Sequence, residues 1–165
     1  MLRGLFGSRS LTPDKRQQIL GYLAMEHQLH ALQDDEAGRY NQALTMHGAG
    51  LAPGSEAVRA VAVAASRMAV VNGDLVQRHS NIGPIPDEAA ASYMAWHLEY
   101  LALAEWSEAA AAAYQGIAEG ATPFMWRVQQ LLQDEERQRK RAMKEETALM
   151  KRVKLTAEEA RALFV

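Results

Sequence analysis

The sequence predicts an all-α protein: an antiparallel bundle of about four long helices, with a charged, extended fourth helix and a short C-terminal helix. Three observations carry that expectation. Glycine and proline gather in a few clusters that divide the chain into long segments. Within those segments apolar residues recur at steps of three and four, not two. Much of the 48% hydrophobic content is alanine, which suits close helix packing better than sheets. At 165 residues the chain has the length of one domain with a single core.

The helix starts are punctuated. Thr12-Pro13 and Thr122-Pro123 place a capping hydroxyl before a proline suited to the first helical turn. Ser55-Glu56 and Pro86-Asp87-Glu88 supply two more starts with acids at the positive end of the helix dipole, and Thr156-Ala157-Glu158-Glu159 spells a capping box. Breakers at Gly48 to Gly54, Gly83 to Pro86 and Gly116 to Gly120 close the segments. Helix one is therefore expected from Pro13 to about Glu36, or alternatively on past Gly38 to His47, helix two from Ser55 to about Ser80, helix three from Pro86 to about Glu119 and helix four from Pro123 to about Arg152.

Two of these segments carry a sustained seam. Val58, Val61, Ala65, Met68, Asn72, Leu75 and His79 line up on helix two. Tyr93, Trp96, Tyr100, Leu103, Ser107, Ala110, Tyr114 and Ile117 do so on helix three. Helix one is mixed: Ile19, Tyr22 and Leu29 share a stripe with Glu26, and Leu20 and Leu23 lead into His27 and His30. Helix four opens with Phe124, Trp126, Val128, Leu131 and Leu132 and then turns into a charged run from Asp134 to Arg141. Glu135 with Arg139 and Glu136 with Lys140 are spaced to stabilise that run in water. The expected organisation is a flexible apolar and basic segment over 1–12, a bundle over 13–133, and a charged extension over 134–165 that leaves the bundle as a rod or is covered by a partner.

Composition removes several function classes. There is no cysteine, hence no disulfide framework, thiolate zinc site or thiol nucleophile, and a reducing, cytoplasmic setting fits. No apolar run approaches the roughly 20 residues that span a bilayer, so at most a peripheral membrane contact is expected. The net charge of −2 is unevenly spread, with 8 basic against 13 acidic residues up to Thr122 and 10 against 7 thereafter. Acidic residues interleave the C-terminal cations and no aromatic lies among them to stack on bases, so nucleic acid is not an expected partner.

Catalytic patterns are scarce. The serines lack a glycine-flanked elbow, and no glycine-rich phosphate loop is present. The Glu-x-x-His pairs of di-iron bundles are missing. Glu26 and His30, one helical turn apart, together with His97 could form a mononuclear metal site if helices one and three adjoin. Glu26, His27, His30, Asn72, His79 and His97 are the polar interruptions that a ligand- or metal-binding bundle would use. None reaches the specificity needed to assign a catalytic, cofactor-binding or metal-ligating role, and no cofactor is implied.

Arg39-Tyr40-Asn41-Gln42-Ala43, Gly73-Asp74-Leu75 and Glu105-Trp106-Ser107-Glu108-Ala109, with prolines 33 and 37 residues apart at Pro53, Pro86 and Pro123, resemble the turn and second helix of tetratricopeptide repeats. Tyr93, Trp96, Tyr100 and Ala109 match that family's preferred types, whereas His97 stands where a small residue belongs and the helix-three seam runs through Glu105 and Trp106 unbroken. The resemblance, over residues 20–123, implies a peptide-binding array of helical hairpins. The residues themselves favour a non-enzymatic structural or adaptor subunit that binds a protein partner or itself. Helix four, Leu2, Leu5 and Phe6 at the start and Leu163-Phe164-Val165 at the end are its expected contact surfaces.

Overall fold

A computed structural model describes residues 11–47 and 52–163. The described residues form five α-helices and no strand: α1 (Pro13–His47), α2 (Glu56–Ser80), α3 (Ala90–Ala118), α4 (Trp126–Val153) and α5 (Ala157–Leu163), with a single 3-10 turn at Asp87–Ala89 before α3. The apolar segment 1–10, the glycines at 48 and 50, and Phe164-Val165 lie outside the described residues.

Local signals act where the sequence places them. Ser55 caps α2 by accepting the Val58 N–H. Thr156 and Glu159 complete their capping box in both directions, at 3.1 and 2.8 Å. Thr122-Pro123 behaves differently: α4 begins three residues later, and its N-cap Met125 offers no side-chain acceptor. Phe124 (76% exposed) and Trp126 (57%) accordingly face solvent, so the apolar opening of helix four reaches the core only from Val128 and Leu131.

Consecutive helices pack as antiparallel neighbours, α1 on α2, α2 on α3 and α3 on α4. All seven seam residues of α2 are buried, as are seven of the eight on α3, Tyr93 being half-buried. Ala62 and Ala65 of α2 and Ala95 and Ala110 of α3 lie fully inside, and such small side chains let two helix axes approach closely. The core is stacked in three tiers. Ile19, Tyr22, Leu23, Ala89, Leu149 and Val153 fill one end. Leu29, Leu75, Trp96, Tyr100, Leu103 and Ala142 fill the middle. Tyr40, Val58, Val61, Met68, Tyr114 and Ile117 fill the other end.

Helix four does not leave the bundle. Val128, Leu131, Glu135, Ala142, Glu146, Leu149 and Val153 are buried along its whole length, and position 133 falls inside a continuous helix. The run Asp134 to Arg141 misled because Arg137, Lys140 and Arg141 occupy the outer face of an amphipathic helix whose inner positions continue every three or four residues. Glu135, expected in water, is inside, while Glu136 and Lys140 form no ion pair. The three stretches resembling tetratricopeptide repeats lie within uninterrupted helices: Arg39 to Ala43 in α1, Gly73 to Leu75 in α2 and Glu105 to Ala109 in α3. None of them makes the turn that a helical-hairpin repeat requires.

The ends are tied together. Arg16 of α1 grips both oxygens of Glu159 of α5 at 2.6 Å and donates from Nε to the Val153 carbonyl at 3.2 Å. Between α1 and α4 there is no comparably close helix contact, and a groove runs between them with α2 and α3 as its floor.

Packing of α4 sets an expectation. Leu149→Ala should lower unfolding free energy by about 2 to 5 kcal/mol in urea titrations. A helix projecting into solvent would lose less than about 0.5 kcal/mol.

Candidate functional site

The α1–α4 groove is lined by polar side chains that the core would otherwise exclude. Burying an ionised carboxylate costs several kcal/mol unless it is paired. Glu26, Glu99, Glu135 and Glu146 are nonetheless at most 5% exposed. Each is met by side chains from other helices or by a cation one turn away.

Glu26 of α1 receives His79 Nε2 of α2 at 3.1 Å and lies 3.5 Å from His30 Nε2. Burial alone would raise its pKa, but His30 and His79 hold the carboxyl down at about 2, so it is ionised and the His79 Nε2 must carry the donated hydrogen. His79 Nδ1 meets His97 Nδ1 at 3.2 Å, and one of that pair supplies the shared proton. Burial and His79 both lower the pKa of His97. Tyr22 donates to Ser92 at 3.2 Å, and burial followed by the Glu26 charge pushes the Tyr22 and Tyr100 phenols well above their ordinary value.

Next to Glu26 on α1, His27 Nε2 lies 3.1 Å from Glu146 Oε1 of α4. The Trp96 indole N–H of α3 donates to the other Glu146 oxygen at 2.6 Å, fixing the carboxylate. His30 packs on Trp96 with ring centroids 4.0 Å apart and stands edge-on to His27 at 5.4 Å. One donor atom each from His27, His30 and Glu146 lies within 4.8 Å of the others, and among the described residues no other three such groups converge. A metal bonded to imidazole and carboxylate at about 2.0 to 2.2 Å needs its ligands about 3 to 3.5 Å apart. The His27–Glu146 edge already has that length. The His30 ring would need to close in through a modest side-chain rotation. These three residues border a cavity of about 330 Å³ with Met143, Thr147 and Met150 of α4 on its far wall.

A second polar knot lies farther down the groove. Gln33 of α1 donates to Glu99 Oε1 at 3.0 Å, and Arg139 of α4 bridges Glu99 at 3.4 Å and Glu135 at 3.1 Å. Two buried carboxyls share one half-exposed guanidinium. Burial drives both pKa values upward, against the pull of Arg139 and, at Glu99, of Gln33. Glu99 Oε2 has no hydrogen-bond partner among the described residues.

The residues singled out in the sequence are thus only partly brought together. Glu26 meets His30, but His97 touches His79 instead of completing a trio with them. Asn72 lies elsewhere, on the wall of the lower groove. Sequence reasoning missed Glu146, Glu99 and Gln33, and read His27 merely as an interruption. A signal existed for two of them: Glu99 directly precedes Tyr100 on the α3 seam, and Glu146 continues the α4 inner positions Glu135 and Ala142.

The chain matches no family model, no curated protein and no solved structure. Among the described residues no helix is long and apolar enough to cross a membrane.

The raised Glu99 carboxyl fixes a sign. It holds its proton more tightly folded than unfolded, so its protonation favours folding at low pH, and that contribution is lost as pH rises from the ordinary carboxylate range through the raised value. Glu99→Gln, which cannot ionise, should have a higher urea midpoint than the parent near pH 8, with the advantage shrinking toward about pH 5. An identical pH dependence in both proteins would contradict the assignment.

Proposed function

We propose that the protein is a metal-dependent ligand-binding helical bundle, in which His27, His30 and Glu146 hold one divalent transition-metal ion. The observation that carries this reading is the convergence of two imidazoles from α1 and one carboxylate from α4 beside a cavity. Two nitrogen donors and one oxygen suit borderline cations such as zinc, iron(II) or manganese(II). Three protein ligands leave at least one coordination position for water or a ligand, the arrangement of a working centre rather than a purely structural one. Trp96, by holding one Glu146 oxygen, and Glu26, by flanking His30, are the groups that orient the ligands. A bound ion would polarise a donor atom entering the cavity and lower the pKa of a bound water.

The purified protein should take up close to one equivalent of zinc or manganese in calorimetric titration. His27→Ala and His30→Ala should each weaken that affinity at least about tenfold. Unchanged uptake in both variants would refute the site.

A second reading, a structural subunit that self-associates, draws on a different observation. Met94, Leu98 and Leu101 form an exposed stripe on α3, and Val63 and Val70 are exposed on α2. The contact surfaces expected on helix four and at the termini add nothing to it, because α4 turns its apolar face to the core, Leu163 packs against the core, and residues 1–10 and 164–165 lie outside the described residues. Light scattering should give a dimer mass for the parent and a monomer for Leu98→Glu; a monomeric parent would eliminate this reading without touching the first.

A further inference from the structure

The lower half of the α1–α4 groove holds a cavity of about 460 Å³, larger than the one beside His27 and His30 and within the range of small-molecule sites. All four long helices build it. Tyr40 comes from α1, Met68 from α2, Trp106 and Tyr114 from α3, and Val128, Leu132 and Glu135 from α4. Tyr40 stands edge-on to Trp106 at 6.0 Å and steeply inclined to Tyr114 at 6.3 Å, so the three rings surround the space rather than fill it by stacking. The apolar core tier that should seal this end of the bundle therefore leaves room for a guest.

Charge decides which guest. The upper wall is the knot where Glu135 and Glu99 share Arg139, with Glu136 and Gln33 also on the cavity lining. Burial favours the protonated form of Glu99, which leaves Glu135 and Glu136 as two acids on the cavity lining against the single Arg139 guanidinium. An ammonium guest would balance that charge. The aromatic walls favour the same sign, since the faces of Trp and Tyr rings attract cations. The Trp106 indole N–H adds a further requirement: it is sealed from solvent and has no acceptor among the described residues, so a guest should offer it an oxygen.

We propose that this cavity binds an organic ammonium ion carrying an oxygen acceptor on an apolar or aromatic body. Its charged nitrogen seats at Glu135, and its body lies among Tyr40, Met68, Trp106 and Tyr114. The site shares no residue with the His27, His30 and Glu146 group and needs no metal.

Tyramine, an aryl ammonium with a phenolic oxygen, is the probe, and 3-(4-hydroxyphenyl)propionate is its anionic counterpart. In calorimetric titrations of the full chain, tyramine should bind with one-to-one stoichiometry and at least about tenfold more tightly than the propionate. Glu135→Gln should weaken tyramine at least about tenfold. Leu132→Trp, which narrows the mouth from the solvent side without altering the acids, should abolish binding. Helical circular dichroism and zinc uptake measured on each variant separate loss of this site from unfolding and from failure of the metal centre. Equal affinity for the two probes, no binding of tyramine to the parent protein, or full binding by a folded Leu132→Trp variant would each overturn the proposal.

Discussion

Everything distinctive about this bundle follows from the need to pair the carboxyl groups that it buries, Glu26, Glu36, Glu99, Glu135 and Glu146. An apolar seam fixes the distance between two helices but leaves their register tolerant of small slips, whereas a buried charge accepts only a partner at hydrogen-bond length. Glu26 to His79 sets α1 against α2, Gln33 to Glu99 sets α1 against α3, and Trp96 with His27 on Glu146 sets α3 and α1 against α4. Removing one partner would strand a charge in the interior, which costs far more than the pair contributes when intact. The polar seam therefore specifies one arrangement of helices while the alanine and aromatic tiers provide the driving force for burial.

The same seam explains why the groove exists. Between α2 and α3 the buried alanines Ala62, Ala65, Ala95 and Ala110 are interspersed with the larger seam residues, and the two helices pack closely along their length. Between α1 and α4, His27 meets Glu146, while Gln33 reaches Glu99 of α3 and Arg139 pairs with Glu135 on its own helix, so long polar groups occupy the space between the two backbones. The space left over is divided at Gln33 and Arg139, which border both cavities. One half presents imidazole and carboxylate beside methionines, the other aromatic rings beside surplus negative charge. The two halves have different chemistry because the side chains that keep them open differ.

Most of the scaffold was legible in the sequence, and the reason is local. Breakers, caps and the three-and-four spacing act over one or two turns, so the α2 seam from Val58 to His79 and the capping box at Thr156 could be read without knowing what they touch. The candidate site was hardly legible, because its logic is between helices. Glu146 reads as one more acid in a charged run until Trp96 and His27 are seen against it. Glu135 looks like half of a surface pair with Arg139 until Glu99 appears behind them. The misplaced expectation for helix four has the same origin: the cations on its outer face outnumber the inner positions and hide their period.

The topology of contacts also bears on how the molecule comes together. Each helix packs mainly on its neighbours in the chain, so the bundle can assemble as successive hairpins at small loop-closure cost, the pattern associated with rapid folding. The α1–α4 seam joins residues more than a hundred positions apart; its apolar contacts, Ile19, Tyr22 and Leu23 with Leu149 and Val153, gather at one end, and the rest has few close helix contacts, which makes it the weakest joint of the bundle. Both cavities lie on that boundary. Guests would then enter by transient parting of two helices whose other faces stay packed, and anything bound across the seam would act as a latch on the least stable joint of the protein.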